Sequence, residues 1–169
     1  MSACEFLTWR ENEINASKNM DQTCKALTDQ MKQTVINGLN KEGYLPGVLK
    51  VKRRSGDLFK KLTNTAELST YRNIRKSMRS RIWSFDEINT LISAIAMACN
   101  EENASMNTIV TAPTNGSCGV IPACIYYFDA FEKALSTTEL KEFILISGMI
   151  GILYKNAATI SGAVGGCMA

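Results

Sequence analysis

Apolar residues recur every three or four positions over three long stretches of the chain, which is the spacing of one face of an α-helix. The stretches cover residues 21–41, 88–103 and 140–155, and Gly43 is predicted to end the first helix in a left-handed conformation. The apolar positions of the first stretch are Cys24, Leu27, Met31, Val35 and Leu39. No alternating stretch of comparable length indicates a β-strand. The pattern therefore predicts a predominantly all-α fold.

Local signals predict where the other helices begin. Ser84 and Glu87 have the spacing of a capping box, and so do Ser136 and Glu139, each pair just before an apolar stretch. A fourth helix is predicted over residues 120–135, after a turn-rich stretch, and its Pro122 lies near the first turn, where proline is tolerated. Four helices thus account for most of the apolar pattern.

The composition is that of one globular domain. The 169 residues are 46% hydrophobic and include three prolines, which excludes disordered and collagen-like chains. The N-terminal residues lack the apolar core of a signal peptide, and the longest apolar run, residues 143–153, is shorter than the roughly 20 residues that cross a bilayer. We therefore expect a cytoplasmic protein without membrane contact, in which the six cysteines are reduced.

Positive charge is concentrated in residues 50–81. This segment holds eleven of the nineteen basic residues and two acidic ones, so its net charge is +9 and that of the remaining chain is −6. It could bind nucleic acid, another polyanion or an acidic neighbouring domain. Because no aromatic interleaving or RNA-binding motif accompanies it, we favour a solvated or domain-docking face. A basic helical module that binds nucleic acid or protein stays as an alternative.

Two loops rich in small residues are candidate sites, and since the chain has no histidine, their chemistry must come from other groups. Residues 111–119 precede a predicted helix, so their amides and hydroxyls could hold a carboxylate or phosphate at its positive end. An ordinary turn with Ser117 as helix N-cap would explain the same residues. The glycines of residues 161–167 let the backbone approach a ligand, and the segment ends in the thiol of Cys167. Cys167 could instead be an ordinary buried cysteine of the core.

Several motifs together resemble one known enzyme family. They are residues 38–40, Gly43, residues 45–47, 51–54, 100–104, 110–123 and 153–155, and residues 161–163 through Cys167. In order and spacing they resemble the iron–sulfur L-serine dehydratases, also called L-serine ammonia-lyases. The resemblance covers about residues 38–167 and is weakest in the basic stretch 62–82. It implies a helical catalytic domain.

The resemblance also implies a cofactor and a reaction. Family members hold a 4Fe–4S cluster by three cysteines, and Cys167 matches the first of them. One open iron would polarise the C–O bond of L-serine while a base, which the resemblance does not identify here, removes the α-proton to give pyruvate and ammonia. The loop 111–119 would then hold the substrate carboxylate beside the cluster. The candidate substrate-binding residues are Thr111, Thr114, Asn115, Gly116, Ser117, Ser161 and Gly162.

The chain departs from the family pattern in three respects. Ala157 stands where the family usually has asparagine, and Met168 where it has a polar residue. The other two cluster cysteines of the family lie downstream of the first, in surroundings that no other cysteine of this chain shares. We interpret residues 1–169 as one partial catalytic domain, incomplete at its C-terminal end. The isolated chain is expected to be inactive unless the missing C-terminal part or a second chain completes the ligand set; a homodimer is also compatible with the sequence.

A lyase dependent on pyridoxal phosphate would perform the same net reaction. Lys155 would then supply the Schiff-base amine, and the glycines of residues 161–166 would hold the phosphate. That cofactor normally requires an α/β scaffold, which the all-α pattern does not provide. We therefore keep this function as an alternative.

Overall fold

Helices make up nearly all the regular structure of the chain. The computed structural model describes residues 1–14, 19–65, 67–111 and 113–166. Within these ranges the α-helices are α1 (Ala3–Ile14), α2 (Met20–Asn40), α3 (Ser55–Thr63), α4 (Tyr71–Met78), α5 (Phe85–Ala104), α6 (Val120–Tyr127) and α7 (Thr137–Ala157). The extended pairing in the same ranges is a single antiparallel bridge between Tyr44 and Lys52. The predicted all-α fold is confirmed.

Both predicted capping boxes are formed. Ser84 Oγ accepts a hydrogen bond from the Glu87 amide at 3.3 Å, and the Glu87 carboxylate accepts one from the Ser84 amide at 2.9 Å. Ser136 and Glu139 make the same reciprocal pair at 3.2 and 2.9 Å. The Arg81 guanidinium and then the Ser84 amide lower the pKa of Glu87 to about 2, so this cap is fully ionised at neutral pH.

The first predicted helix is confirmed as α2, which ends at Asn40, but the predicted cap at Gly43 is not formed. Lys41 ends the helix in an extended conformation. Gly43, with φ of +94°, lies in the loop beyond, where its carbonyl accepts a hydrogen bond from the Arg53 amide at 2.9 Å. The left-handed conformation is therefore used to begin the 43–53 hairpin rather than to end α2.

Helix α5 is the centre of the fold, with α2, α3 and α6 packed around it. At Gly38, α2 approaches α5 so closely that an added Cβ would lie 2.3 Å from the Ala98 carbonyl oxygen. Glycine is therefore required at this crossing. The main buried cluster joins α5 to its neighbours through Val35, Leu39, Phe59, Leu91, Ala94, Ile95, Ala98, Cys99 and Ala123.

A buried ionic network fastens residues 41–55 to the C-terminal end of α5. Arg53 is 6% exposed and Glu102 is 1% exposed. Arg53 Nη1 lies 3.0 Å from Glu102 Oε1, and Lys41 Nζ lies 2.7 Å from Glu102 Oε2. Because a buried carboxylate needs charged partners, Arg53 and Lys41 together compensate Glu102 in the interior. The network places the hairpin against the helix that leads into the candidate loop.

The single helix predicted over residues 120–135 is interrupted. Helix α6 ends at Tyr127, and residues Phe128–Glu132 form one π-helical turn. Asp129 in this turn accepts hydrogen bonds from the Tyr71 hydroxyl at 2.6 Å and from the Leu135 amide at 2.9 Å, and its carboxylate lies 2.7 Å from Arg75 Nε. These contacts fix the turn against α4 and explain the break.

No helix in the described ranges is long and apolar enough to cross a membrane.

Candidate functional site

A cavity of about 470 Å³ lies where the two candidate loops meet α7. Its walls come from residues 113–117, the first turn of α6, the second half of α7 and the segment from residue 158 to residue 166. A smaller apolar cavity of about 240 Å³ shares the wall formed by Pro113, Ile121, Ser147 and Gly151. The fold thus brings together two loops that are far apart in the sequence.

The first loop supplies part of the predicted set to the larger cavity. Thr114, Gly116 and Ser117 line it, whereas Thr111 lines the smaller cavity. Asn115 is exposed and lines neither of them. Its side chain points away because residues Asn115–Ser117 form a 3-10 turn, which rotates successive side chains around its axis.

The second loop reaches the cavity through residues other than those predicted. Ser161 and Gly162 are exposed and do not line the cavity, while Ile160 and Gly166 do. The Gly166 amide donates to the Ser161 carbonyl at 2.9 Å, which closes a tight turn and leaves the residues between them outside. Cys167, the predicted cluster ligand, lies outside the described residues.

Two hydroxyls form the polar wall of the larger cavity. Thr114 Oγ1 and Ser117 Oγ lie 3.0 Å apart, in hydrogen-bond contact. Ser117 Oγ also donates to the Thr114 carbonyl at 3.0 Å. Since Thr114 is buried, these bonds fix both side chains before any ligand binds.

The N-terminus of α6 opens into the same cavity without a capping side chain. Its N-cap residue is Gly119, and the Val120 and Ile121 amides have no hydrogen-bond acceptor among the described residues. Both residues line the cavity. Each of the other six helices in the described ranges has a side-chain acceptor at its first amides, provided by Ser2, Asn19, Glu101, Thr70, Ser84 and Ser136.

The capping of α3 shows which group such amides prefer. Glu101 Oε1 accepts hydrogen bonds from the Arg54 and Ser55 amides at 2.9 and 3.1 Å, so a carboxylate caps this helix. At α6 no side chain of the described residues takes the corresponding position. An anion there would receive free amide donors at the positive end of the helix.

Close backbone packing holds the start of α6 in place. A Cβ added at Gly119 would lie 2.5 Å from the Ala96 carbonyl oxygen of α5. The loop is therefore pressed directly onto the backbone of the central helix. The position of the free amides is set by the core, not by the loop alone.

The cysteines of the described ranges do not form a cluster site. Cys4, Cys24, Cys99, Cys118 and Cys124 are free thiols, and no three potential ligands among the described residues lie close enough together to hold a metal ion. Burial raises the pKa of Cys118 to about 11 and raises the pKa of Cys99 further. Since thiolates are the metal ligands, these two cysteines are core residues.

Alkylation of the folded protein is expected to distinguish the buried thiols from Cys4. At pH 8, iodoacetamide should modify the partly exposed Cys4 at least about 100-fold faster than Cys99, which is buried and protonated. Mass spectrometry of proteolytic fragments gives both rates. In urea the two rates should become equal; equal rates in the native protein would contradict the burial of Cys99.

The cavity wall formed by α7 is not among the predicted site residues. Ser147 and Tyr154 line the larger cavity, and Ser147 Oγ donates to the Phe143 carbonyl at 2.7 Å. The signal for this wall is the interruption of the apolar run by Ser147, Gly148 and Gly151, since small residues on one helix face leave room for a ligand.

Lys155 does not share the larger cavity with the second loop. It is exposed in the last turn of α7 and lines the smaller cavity, whereas Gly166 lines the larger one. The amine required by the pyridoxal-phosphate alternative and Gly166 thus line different cavities, while Gly162 and Gly165 line neither. This geometry gives that alternative no support.

Comparisons with known proteins agree on one group of relatives. A family model described as "Serine dehydratase alpha chain" matches residues 1–169. L-serine dehydratase of Haemophilus influenzae is 38% identical over 159 residues, which are 93% of this chain and 32% of the relative. L-serine dehydratase 1 of Escherichia coli is 35% identical with the same coverage, and the Helicobacter pylori L-serine dehydratase is 37% identical over 171 residues. The chain spans about a third of the length of these curated relatives.

Proposed function

Because this chain belongs to the serine dehydratase alpha chain family, we propose that it forms part of the catalytic unit of an L-serine ammonia-lyase. The reaction converts L-serine to pyruvate and ammonia. The observation that best supports this assignment is the uncapped N-terminus of α6, which opens into a cavity lined by the Thr114 and Ser117 hydroxyls. Such donors bind anions, and the carboxylate of an amino acid is one of them.

The chain's own residues bind and orient the substrate in this proposal. The Val120 and Ile121 amides donate to the carboxylate of L-serine, and the hydroxyl pair of Thr114 and Ser117 lies beside it in the same cavity. Both contacts are preorganised, because α6 is pressed onto α5 and the hydroxyls are already hydrogen-bonded. Fixing the carboxylate restricts the α-carbon and the β-hydroxyl to a small volume.

The 4Fe–4S cluster is part of the proposal, with Cys167 as one ligand. When bound, such a cluster supplies a Lewis acid for the leaving hydroxyl. No three potential ligands lie together among the described residues, so the described cysteines do not form its ligand set. We propose that the other ligands come from polypeptide corresponding to the rest of the relatives, in the same chain or in a second one.

The second half of α7 supports the presence of such additional polypeptide. Large apolar side chains are exposed in this half of α7 and in the segment that follows it: Ile150, Ile152, Leu153, Tyr154, Ile160 and Val164. An apolar patch of this kind marks an interaction surface. We propose that the additional polypeptide covers α7 and closes the cavity to water. The proposal includes a cytoplasmic location, which the free thiols support.

A chimaera is expected to show the proposed activity, and the isolated chain is expected to show none. In the chimaera this chain replaces the 159 aligned residues of the Haemophilus influenzae enzyme. After anaerobic reconstitution with iron and sulfide, it should show cluster absorbance and release pyruvate from L-serine, and the isolated chain should do neither. A folded chimaera with cluster absorbance and no pyruvate release would refute the proposed activity.

The chimaera also tests the carboxylate site. The double variant Thr114→Val and Ser117→Ala is expected to raise KM for L-serine about 30-fold, since the loss of two hydrogen bonds of about 1 kcal/mol each weakens binding by about 2 kcal/mol. The control Asn89→Ala changes an exposed polar residue of α5 and should leave KM unchanged. If the double variant keeps the parent KM and kcat, the carboxylate binds elsewhere.

A further inference from the structure

The structure divides the basic segment 50–81 into paired and unpaired cations. Five of its eleven basic residues pair with carboxylates: Lys52, Arg53, Lys60, Arg75 and Arg81. Within the described ranges the other six have no ion-pair partner: Lys50, Arg54, Lys61, Arg72, Lys76 and Arg79. Fewer cations are therefore available to a partner than the sequence indicates. Three of the six unpaired cations, Arg72, Lys76 and Arg79, lie on or next to α4.

Three of the unpaired cations lie along one exposed face of α4. Arg72, Lys76 and Arg79 follow one another at intervals of four and three residues, which places them in a row about 10 Å long. The opposite face carries Ile74 and Met78, both fully buried. The row is thus fixed by the packing of α4 on the core.

Two large exposed apolar residues follow this row in the sequence, within seven residues of its last cation. Ile82 is 96% exposed and Phe85 is 77% exposed. Trp83, between them, is buried and donates from Nε1 to the Met78 carbonyl at 2.7 Å, while the Arg81 guanidinium stacks on its ring at 3.8 Å. These contacts of Trp83 order the turn, so Ile82 and Phe85 form a defined apolar patch on the surface.

We propose that the α4 surface, consisting of Arg72, Lys76, Arg79, Ile82 and Phe85, binds an acidic amphipathic helix of another polypeptide. Carboxylates spaced by four and three residues on that helix would face the three cations, and its apolar side chains would cover Ile82 and Phe85. One helix would thus supply complementary groups for both the three cations and the two apolar residues. This surface does not depend on the proposed lyase activity.

The chemistry of the surface favours a polypeptide over two other polyanionic partners. Nucleic acid would supply phosphates for the cations and leave the apolar pair without a matching contact, since such interfaces are strongly polar. A helix that lies on a membrane exposes an apolar face along its length. The apolar face of α4 is instead buried in the core.

The test uses a synthetic fluorescent peptide with glutamates at positions 4, 8 and 11 of an 18-residue helix and leucines one turn beyond. Anisotropy titration of the full chain should give saturable binding. The double variants Arg72→Glu with Arg79→Glu, and Ile82→Ser with Phe85→Ser, should each weaken binding at least about tenfold. The matched control, Lys50→Glu with Lys61→Glu, makes the same charge change at unpaired cations off this surface and should change affinity less than about twofold.

Other results would overturn the proposal. They are no saturable binding, an equal loss in the Lys50/Lys61 control, or unchanged affinity in the serine double variant. A single-stranded oligonucleotide or phosphatidylserine vesicles that bind more tightly than the peptide, with the same dependence on these residues, would assign the surface to those partners. Sedimentation of the chain alone tests the remaining occupant, because self-association abolished by the serine variant would mean that a second copy covers the surface. Circular dichroism of every variant checks that its fold is retained.

Discussion

Replacement of Arg53 by methionine is expected to lower the free energy of unfolding by about 3–5 kcal/mol, or to leave the chain unfolded in buffer. The side chain is buried and donates both to Glu102 and to the Glu101 carbonyl. Methionine fills a similar volume but leaves the Glu102 carboxylate with Lys41 as its one cationic partner among the described residues. Urea unfolding followed by far-UV circular dichroism measures the change.

Lys52→Met is the matched control for this prediction. Lys52 neighbours Arg53 in the sequence and pairs with Asp57 at 3.4 Å, but both side chains are exposed. Exposed ion pairs contribute little, so the control should shift the free energy of unfolding by less than about 1 kcal/mol. Equal shifts in the two variants would mean that the buried network does not hold the hairpin to α5.

Replacement of Gly38 by alanine is expected to lower the free energy of unfolding by about 3 kcal/mol. Alanine normally stabilises a helix interior by about 0.5–1 kcal/mol relative to glycine. Here its Cβ would overlap the Ala98 carbonyl oxygen, so α2 and α5 would have to separate and their shared core would loosen. The opposing signs make the measurement decisive, and thermal or urea unfolding supplies it.

Gly148→Ala gives the comparison for this second prediction. Gly148 lies within α7, and an added Cβ there would meet no atom within 4 Å. Alanine at this position should therefore stabilise the protein by about 0.5–1 kcal/mol. Stabilisation by both substitutions would show that the close α2–α5 approach does not constrain the fold.

The sequence predicted those parts of the fold that depend on neighbouring residues. The capping boxes at Ser84 and Ser136 involve residues three positions apart, so their pattern is visible before the chain folds. The end of α6 is different, because Asp129 is held by Tyr71 and Arg75, which lie 58 and 54 residues earlier. Interactions over such separations leave no local pattern, and the break after Tyr127 was therefore missed.

The candidate site was predictable to a similar extent. Small residues drew attention to both loops, since turns and open backbone need them, and Thr114 and Ser117 do line the larger cavity. Which side chains of a loop face inward depends on its local turns, so Asn115 and Ser161 were assigned to the cavity although they are exposed. Tyr154 was overlooked because a tyrosine within an apolar helix resembles an ordinary core residue.

Two glycines of other segments pack directly against the backbone of α5, at Ala98 and Ala96. Gly38 packs against the Ala98 carbonyl and Gly119 packs against the Ala96 carbonyl, and neither contact leaves room for a Cβ. The backbone of α5 is therefore closely packed between these two segments. A substitution that displaces α2 would therefore shift α5 and, through Gly119, the amides where the carboxylate is proposed to bind. Attempts to enlarge the proposed site for bulkier amino acids should therefore start with Thr114 and Ser117 or with α7, which line the cavity, and leave the beginning of α6 unchanged.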